Sequence, residues 1–254
     1  MRVFPLAVVG LLVVSCGGRG ARERAAGAVR LRAGDVSGAL GDLRAAAAVD
    51  PRDPVTWTLL GDAQFEAQRY DEADRSYRTA LALDPRAARA RRHLAQLALR
   101  RGRRPEAERL LRELVAGNPR DPDAQLALGT VLAARGDLSG ARAAFTAALA
   151  SAPRHQAASY DLGRILLRAG EVDRAEATFH RLDEIAPRAP YAAYGLALVA
   201  AHRQQPDAAC VALGRAVHLG LADRRAVERD PELGPVRRAP CAVAALAALD
   251  EVRR

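Results

Sequence analysis

Residues 54–87 read PVTWTLLGDAQFEAQRYDEADRSYRTALALDPRA, and this stretch decides the fold. It carries Trp57, then Leu60 beside Gly61, then Tyr70, Ala73, Tyr77 and Ala80, and it stops at Pro85. The same beat runs along the chain. Pro51, Pro85, Pro119, Pro153 and Pro187 stand 34 residues apart without a slip. Alanine keeps a second column at Ala39, Ala73, Ala107, Ala141, Ala175 and Ala209. A third column is Ala26, Leu60, Leu94, Leu128, Leu162 and Leu196. The residue after each of these is small: Gly27, Gly61, Ala95, Gly129, Gly163 and Ala197. A fixed period of this length marks a repeat architecture.

At these residues the chain resembles the tetratricopeptide repeat family. The resemblance implies an all-α, right-handed solenoid of six helix hairpins with a C-terminal capping helix. The repeats tile 20–53, 54–87, 88–121, 122–155, 156–189 and 190–223. The sixth keeps Leu196, Ala209 and Ala216 but has Leu221 where proline is expected. In each repeat two antiparallel helices meet through small residues, and larger Leu, Phe and Tyr side chains fill the gaps. Proline ends the second helix because it cannot donate to the preceding turn. Gly34, Gly102, Gly136 and Gly170 break the chain between the helices of their repeats. One hairpin cannot bury its apolar face alone, so neighbours must stack.

The 254 residues are half apolar and only 4% aromatic, so alanine and leucine build the core. All 39 basic residues are arginine, and the formal charge is +9. Such a surplus favours anionic surfaces. The arginines are nevertheless spread over many helix faces and mixed with Asp and Glu, and no basic stripe with aromatic platforms points to nucleic acid. The five histidines, His93, His155, His180, His202 and His218, show no metal-ligand spacing. There is no G-x-S-x-G and no phosphate-binding loop. No enzymatic activity, metal or cofactor is expected, and the chain is expected to be a monomer.

Residues 1–15, MRVFPLAVVGLLVVS, carry one arginine and then an uncharged run from Val3 to Val14. Twelve residues are too few to span a bilayer as a helix, which takes roughly 20, and the run suits a secretory signal. The junction Val13-Val14-Ser15-Cys16-Gly17 resembles the bacterial lipobox. That resemblance implies cleavage before Cys16, lipidation of Cys16, and an outer-membrane address facing the periplasm. An ordinary signal peptide, with Cys16 an incidental thiol, is the alternative. Residues 16–19 form a short lipidated tether. Next come Arg22, Arg24, Arg30 and Arg32 against Glu23 alone. This membrane-proximal basic set is expected to rest on anionic headgroups, a solvated helix face being the other reading.

The first helices of the repeats line the concave face in the resembled family. A partner-binding groove would then show Phe65, Leu99, Leu126, Tyr160, Leu167, Tyr191, Tyr194 and Leu198. The cluster Tyr160, Tyr191, Tyr194 and Leu198 is the favoured contact, since tyrosine offers large area with a polar tip. The alternative is that these tyrosines pack under the C-terminal cap. The carboxylate clamp of chaperone-binding relatives is missing, because the matching positions include Arg24, Ala28, Leu59, Arg89 and His93 and lack the asparagines.

Residues 224–254 depart from the period and read as a cap. Asp230-Pro231 and Gly234-Pro235 mark turns, and Cys241 to Val252 sets Val243, Leu246, Leu249 and Val252 on one helix face. A cap on the last hairpin would bring Cys210 and Cys241 together. In an oxidising compartment the bridge would contribute roughly 3 to 4 kcal/mol; two buried thiols are the other possibility. The whole arrangement of lipobox, short tether, six repeats and cap resembles the pilotin lipoproteins of type IV pili. It implies an assembly chaperone that binds secretin subunits and promotes their insertion and multimerisation in the outer membrane. The rival is a scaffold lipoprotein that docks another envelope protein, such as a cell-wall hydrolase, or serves a polysaccharide export machine.

Overall fold

The computed structural model describes residues 9–221, 224–234, 236 and 240, with side chains from residue 18 onward except at 224 and 226. All regular structure among them is helical. The helices are α1 (Val9–Arg32), α2 (Val36–Val49), α3 (Pro54–Glu66), α4 (Tyr70–Leu83), α5 (Ala88–Arg100) and α6 (Arg104–Gly117). They continue as α7 (Pro122–Arg135), α8 (Leu138–Ser151), α9 (Gln156–Arg168), α10 (Val172–Ile185), α11 (Pro190–His202) and α12 (Pro206–His218). A short α13 (Arg224–Arg229) and a 3-10 turn (Pro231–Leu233) follow. The chain forms two compact units, residues 1–117 and 118–254.

In the first unit α1 pairs with α2, α3 with α4 and α5 with α6, and α2 and α4 pack on the next hairpin. In the second unit α7 pairs with α8, α9 with α10 and α11 with α12, with α8 and α10 making the same step. Each unit is thus an array of three hairpins, in the register the 34-residue period predicts.

The sequence columns have separate physical jobs. The alanine column is buried throughout, from Ala39 to Ala209. The small-residue column is a set of holes into which rings insert. A Cβ added to Gly61 would stand 2.6 Å from the Tyr77 ring, and one added to Gly129 or Gly163 would stand 2.5 Å from the rings of Phe145 or Phe179. At Gly27 the filler is Leu43, again 2.6 Å away. Tyr77, Phe145 and Phe179 are among the largest fully buried side chains. Interiors pack at near-crystal density, so these holes have no slack.

The turn inside each hairpin requires a left-handed residue. Gly34, Gly102, Gly136 and Gly170 supply it with φ between +70° and +90°. The second and sixth hairpins meet the same need with Gln68 at φ 59° and Gln204 at φ 57°. The sequence reading saw the four glycines and missed the two glutamines. They stand in the same 34-residue register, with an ordinary side chain in glycine's place.

Helix starts follow the usual chemistry. Asp35 and Asp137 accept the N–H of Gly38 and Gly140, both at 2.9 Å. Pro54, Pro122, Pro190 and Pro206 begin their helices, where a missing N–H costs nothing.

Two features of the ends differ from expectation or extend it. α1 is one continuous helix from Val9, so the tether expected at 16–19 lies inside it. At Gly20 the missing side chain lets α1 lie close to Val49 at the end of α2, where an added Cβ would stand 3.2 Å from the valine. Among the described residues no helix is long and apolar enough to cross a membrane. At the other end, Val227, Leu233 and Val236 enter the core of the second unit together with Leu221, and the 3-10 turn packs on α11. The helix expected over Cys241–Val252 lies outside the described residues, as does the Cys241 partner expected for Cys210.

Candidate partner-binding sites

Among the described residues each unit holds a large recess. The recess of the first unit has a volume of about 540 Å³ and is lined by residues of α1, α3, α4 and α5, among them Arg32, Leu59, Asp62, Phe65, Arg89 and His93. Asp62 is its polar centre. It sits on α3 with 5% exposure. The Tyr77 hydroxyl donates to its Oδ1 at 2.9 Å, Arg89 Nη2 stands 2.7 Å from Oδ2, and His93 Nε2 stands 3.4 Å from Oδ1. Burial pushes the Asp62 carboxyl above the ordinary carboxylate range, against the pull of His93 and Arg89. Burial, reinforced by Asp62, also raises the Tyr77 hydroxyl far above its usual value. The His93 ring stacks on Tyr77 at 5.3 Å, and Phe65 lies 5.8 Å from it. Arg100 covers the rings of Phe65 and Tyr70 from one side.

The recess of the second unit has about 650 Å³ and is lined by Tyr160, Arg164, Tyr191 and Tyr194 from α9 and α11, with Leu221, Val227 and Asp230 from the C-terminal segment. The Tyr160 and Tyr191 rings lie 5.5 Å apart and are tilted by 53° to each other. Arg164 lies 5.9 Å from the centre of the Tyr160 ring. The Tyr194 hydroxyl donates to Asp230 Oδ2 at 2.9 Å, and Arg164 Nη2 stands 3.4 Å from the same oxygen. His202 and Glu232 make a further contact between α11 and the 3-10 turn. Burial pushes the Tyr160 hydroxyl up to about 12; burial and then Asp230 push that of Tyr194 well above its ordinary value. These phenols stay protonated at neutral pH. They supply aromatic area and hydrogen bonds rather than acid–base chemistry.

The expected groove residues therefore divide. Phe65 lies in the first recess, and Tyr160, Tyr191 and Tyr194 come together in the second. Tyr191 is 52% exposed, and Leu99 on α5 is also exposed. Leu126 on α7 is half-buried. Leu167 and Leu198 are corrected: both are buried in the core of the second unit. α11 packs on α9, α10, α12 and the 3-10 turn, so little of its surface is left for a groove. Tyr194 is shared, with its ring in the core and its hydroxyl on Asp230. The tyrosines thus line an open recess, and Tyr194 at the same time packs against the closing segment. Asp230 was read only as a turn residue; in a closing segment that also carries Arg225, Glu228, Arg229 and Glu232, nothing in the sequence set its carboxylate apart.

The four N-terminal arginines also divide. Arg24 is held by Asp53, and Arg30 lies 3.3 Å from Asp42. Arg22 and Arg32 are exposed, Arg32 at the rim of the first recess. The Cys16 side chain is outside the description. Among the described residues no group of three metal-ligating side chains occurs.

Comparison with known proteins agrees with the helix-hairpin fold. Residues 35–159 match the family model of the cytochrome c-type biogenesis protein H TPR domain. Residues 132–201 and 190–215 match two tetratricopeptide repeat models. No curated protein matches the chain. Among solved structures, Pseudomonas aeruginosa PilF is 19% identical with a TM-score of 0.69, over 87% of this chain and 97% of its own. PilW, described as a widely conserved type IV pilus biogenesis factor, is 20% identical with a TM-score of 0.66, over 85% of this chain and 97% of its own. YrrB, described as a TPR protein with an unusual peptide-binding site, is 20% identical with a TM-score of 0.62, over 73% of this chain and 95% of its own. At these identities the likeness is one of fold: repeated helix hairpins that act as protein-interaction scaffolds, with no catalytic family indicated.

Proposed function

We propose, from the premise that this chain is a tetratricopeptide-repeat protein, that it is an outer-membrane assembly chaperone for a type IV pilus secretin. The observation that carries the reading is the extent of its likeness to PilF and PilW. Nearly the whole of each of those proteins is matched by 85% or more of this chain. The second recess supports it as a binding site. Tyr191 stands exposed beside the half-buried Tyr160, and an aromatic pair with one open ring backed by a packed core suits capture of an apolar segment of an unassembled subunit. On this reading Cys16 carries the lipid that sets the address, and the protein faces the periplasm.

The test uses a deletion strain and a strain carrying Cys16→Ala. Secretin is blotted as heat-resistant multimer and as monomer. Multimers lost with monomer still present is the expected result in the deletion strain. The Cys16→Ala strain then reports whether the anchor takes part. Normal multimers in the deletion strain overturn the chaperone reading.

A second reading has one observation in its favour. The model matched over residues 35–159 is that of a cytochrome c-type biogenesis TPR domain. Under it, the same deletion strain would lose covalently bound haem in its c-type cytochromes while its secretin multimers persist.

A further inference from the structure

The turns that lead from one hairpin to the next share more than proline. The residue after each proline is arginine: Arg52, Arg86, Arg120, Arg154 and Arg188. Five of five is more than a content of 39 arginines in 254 residues produces by chance. All five are exposed. Among the described residues, none of their guanidinium groups has a hydrogen-bond or ion-pair partner. Arginines on the helices are frequently paired, as Arg44 is with Glu72, Arg78 with Glu106 and Arg215 with Asp183. The turn backbone is held at three of these positions: the N–H groups of Arg52, Arg86 and Arg120 donate to Asp50, Asp84 and Asn118 at 3.1, 2.8 and 3.2 Å. The side chain is positioned but left unpaired.

In an array of antiparallel hairpins these turns lie where the odd-numbered helices begin. In the first unit that edge is also where α1 comes in. Gly20 meets Val49 at the end of α2, and Arg24 reaches Asp53 in the next turn. The exposed Arg22 stands two residues earlier, and helix α1 continues N-terminally to Val9. A lipid on Cys16 would therefore enter from the arginine edge.

We infer that the hairpin-to-hairpin edge of each unit is a docking surface for an anionic phospholipid membrane. Arg22, Arg52 and Arg86 provide it in the first unit, and Arg120, Arg154 and Arg188 in the second. The choice of a bilayer over other polyanions rests on the lipid-anchor reading of Cys16. The second unit carries the stronger charge. Its turns have Asn118, Ala152 and Ala186 where the first unit has Asp50 and Asp84.

The experiment compares binding of the full chain carrying Cys16→Ser, which cannot be acylated, to vesicles of phosphatidylcholine alone and to vesicles containing about one third phosphatidylglycerol. The apolar N-terminus contributes to both, so the ratio isolates the charge. The expected ratio favours anionic vesicles and falls with salt. R120Q/R154Q/R188Q should lower it roughly tenfold or more, and R22Q/R52Q/R86Q by less. R69Q/R104Q/R174Q removes equal charge at the opposite ends of the hairpins and should leave most of the preference. An equal fall in that control overturns the inference. So does an unchanged ratio in both turn variants, or a loss of binding to an acidic polysaccharide with vesicle binding intact. Metabolic labelling of the wild-type protein tests the anchor separately. An unlabelled Cys16 with an intact, arginine-dependent preference retires the anchor and supports the docking surface.

Discussion

Gln68 and Gln204 hold a backbone conformation that glycine holds in four other hairpins. A side chain in the left-handed region costs about 1 kcal/mol or more. Gln68→Gly and Gln204→Gly should each stabilise the protein by about 0.5 to 1 kcal/mol, net of the entropy glycine adds to the unfolded chain. Chemical denaturation would read this as a higher midpoint; a lower midpoint in both variants would show the turns to be relaxed. The opposite prediction applies where glycine serves a ring. Gly163→Ala should destabilise by about 1 to 3 kcal/mol, because the added methyl collides with the buried Phe179 ring. The capping carboxylates give a pH signature. The Gly38 N–H and the Ser37 hydroxyl hold Asp35 below its ordinary value, and the Gly140 N–H and Ser139 hydroxyl do the same for Asp137. Their folded pKa values are depressed, so their contribution is complete above the unfolded value of 3.8 and is lost as pH falls through the folded values. The double variant Asp35→Asn, Asp137→Asn should flatten the acid side of a melting-temperature profile relative to wild type.

At the scale of elements, α11 shows what was and was not legible beforehand. Its place in the period, its Pro190 start and the cluster of tyrosines could be read from spacing alone. The fate of Leu198 could not, because the period says which face a residue takes and not how many neighbours crowd that face. In α3 the equivalent position is Asp62, in α9 it is Arg164, and both line recesses. In α11 the same position is core, because the 3-10 turn and Val227 close over that end of the unit. The turn arginines were overlooked for the opposite reason. Each looks like one more charge in an arginine-rich chain until the hairpins place the turns of a unit along the same edge of that unit. The two classes of tyrosine-site residue separate by experiment. Tyr191→Ala should weaken partner binding about tenfold, a value common for an exposed aromatic anchor, with little change in stability. Leu198→Ala should cost about 2 to 5 kcal/mol of stability and report nothing specific about binding. Isothermal titration and thermal melts on the two variants would distinguish these roles.

For the molecule as a whole, stability is built from neighbour contacts repeated within each unit, and the ends must be closed by something outside the period. At the C-terminal end that work falls to Leu221, Val227, Leu233 and Val236, and Cys210 lies half-buried on the helix α12 that precedes them. A bridge from Cys210 to Cys241 would fasten the closing segment. Reductant or Cys241→Ser should then lower the melting temperature by roughly 6 to 16 °C, from a contribution of about 3 to 4 kcal/mol in a chain of this size. An unchanged melt under reductant would leave the apolar contacts of Val227, Leu233 and Val236 as the whole closure.

The holes that receive Tyr77 and Phe145 are made by Gly61 and Gly129 of the same hairpin. A hairpin of this kind brings its own lock and key. Its copy number is therefore free to change without redesign of the interior. Duplication of one 34-residue segment adds a complete internal fastening, and one more arginine on the turn edge, in a single genetic event. Length thereby becomes a quantity that selection can adjust in whole steps, matching the reach of the scaffold to the size of what it holds.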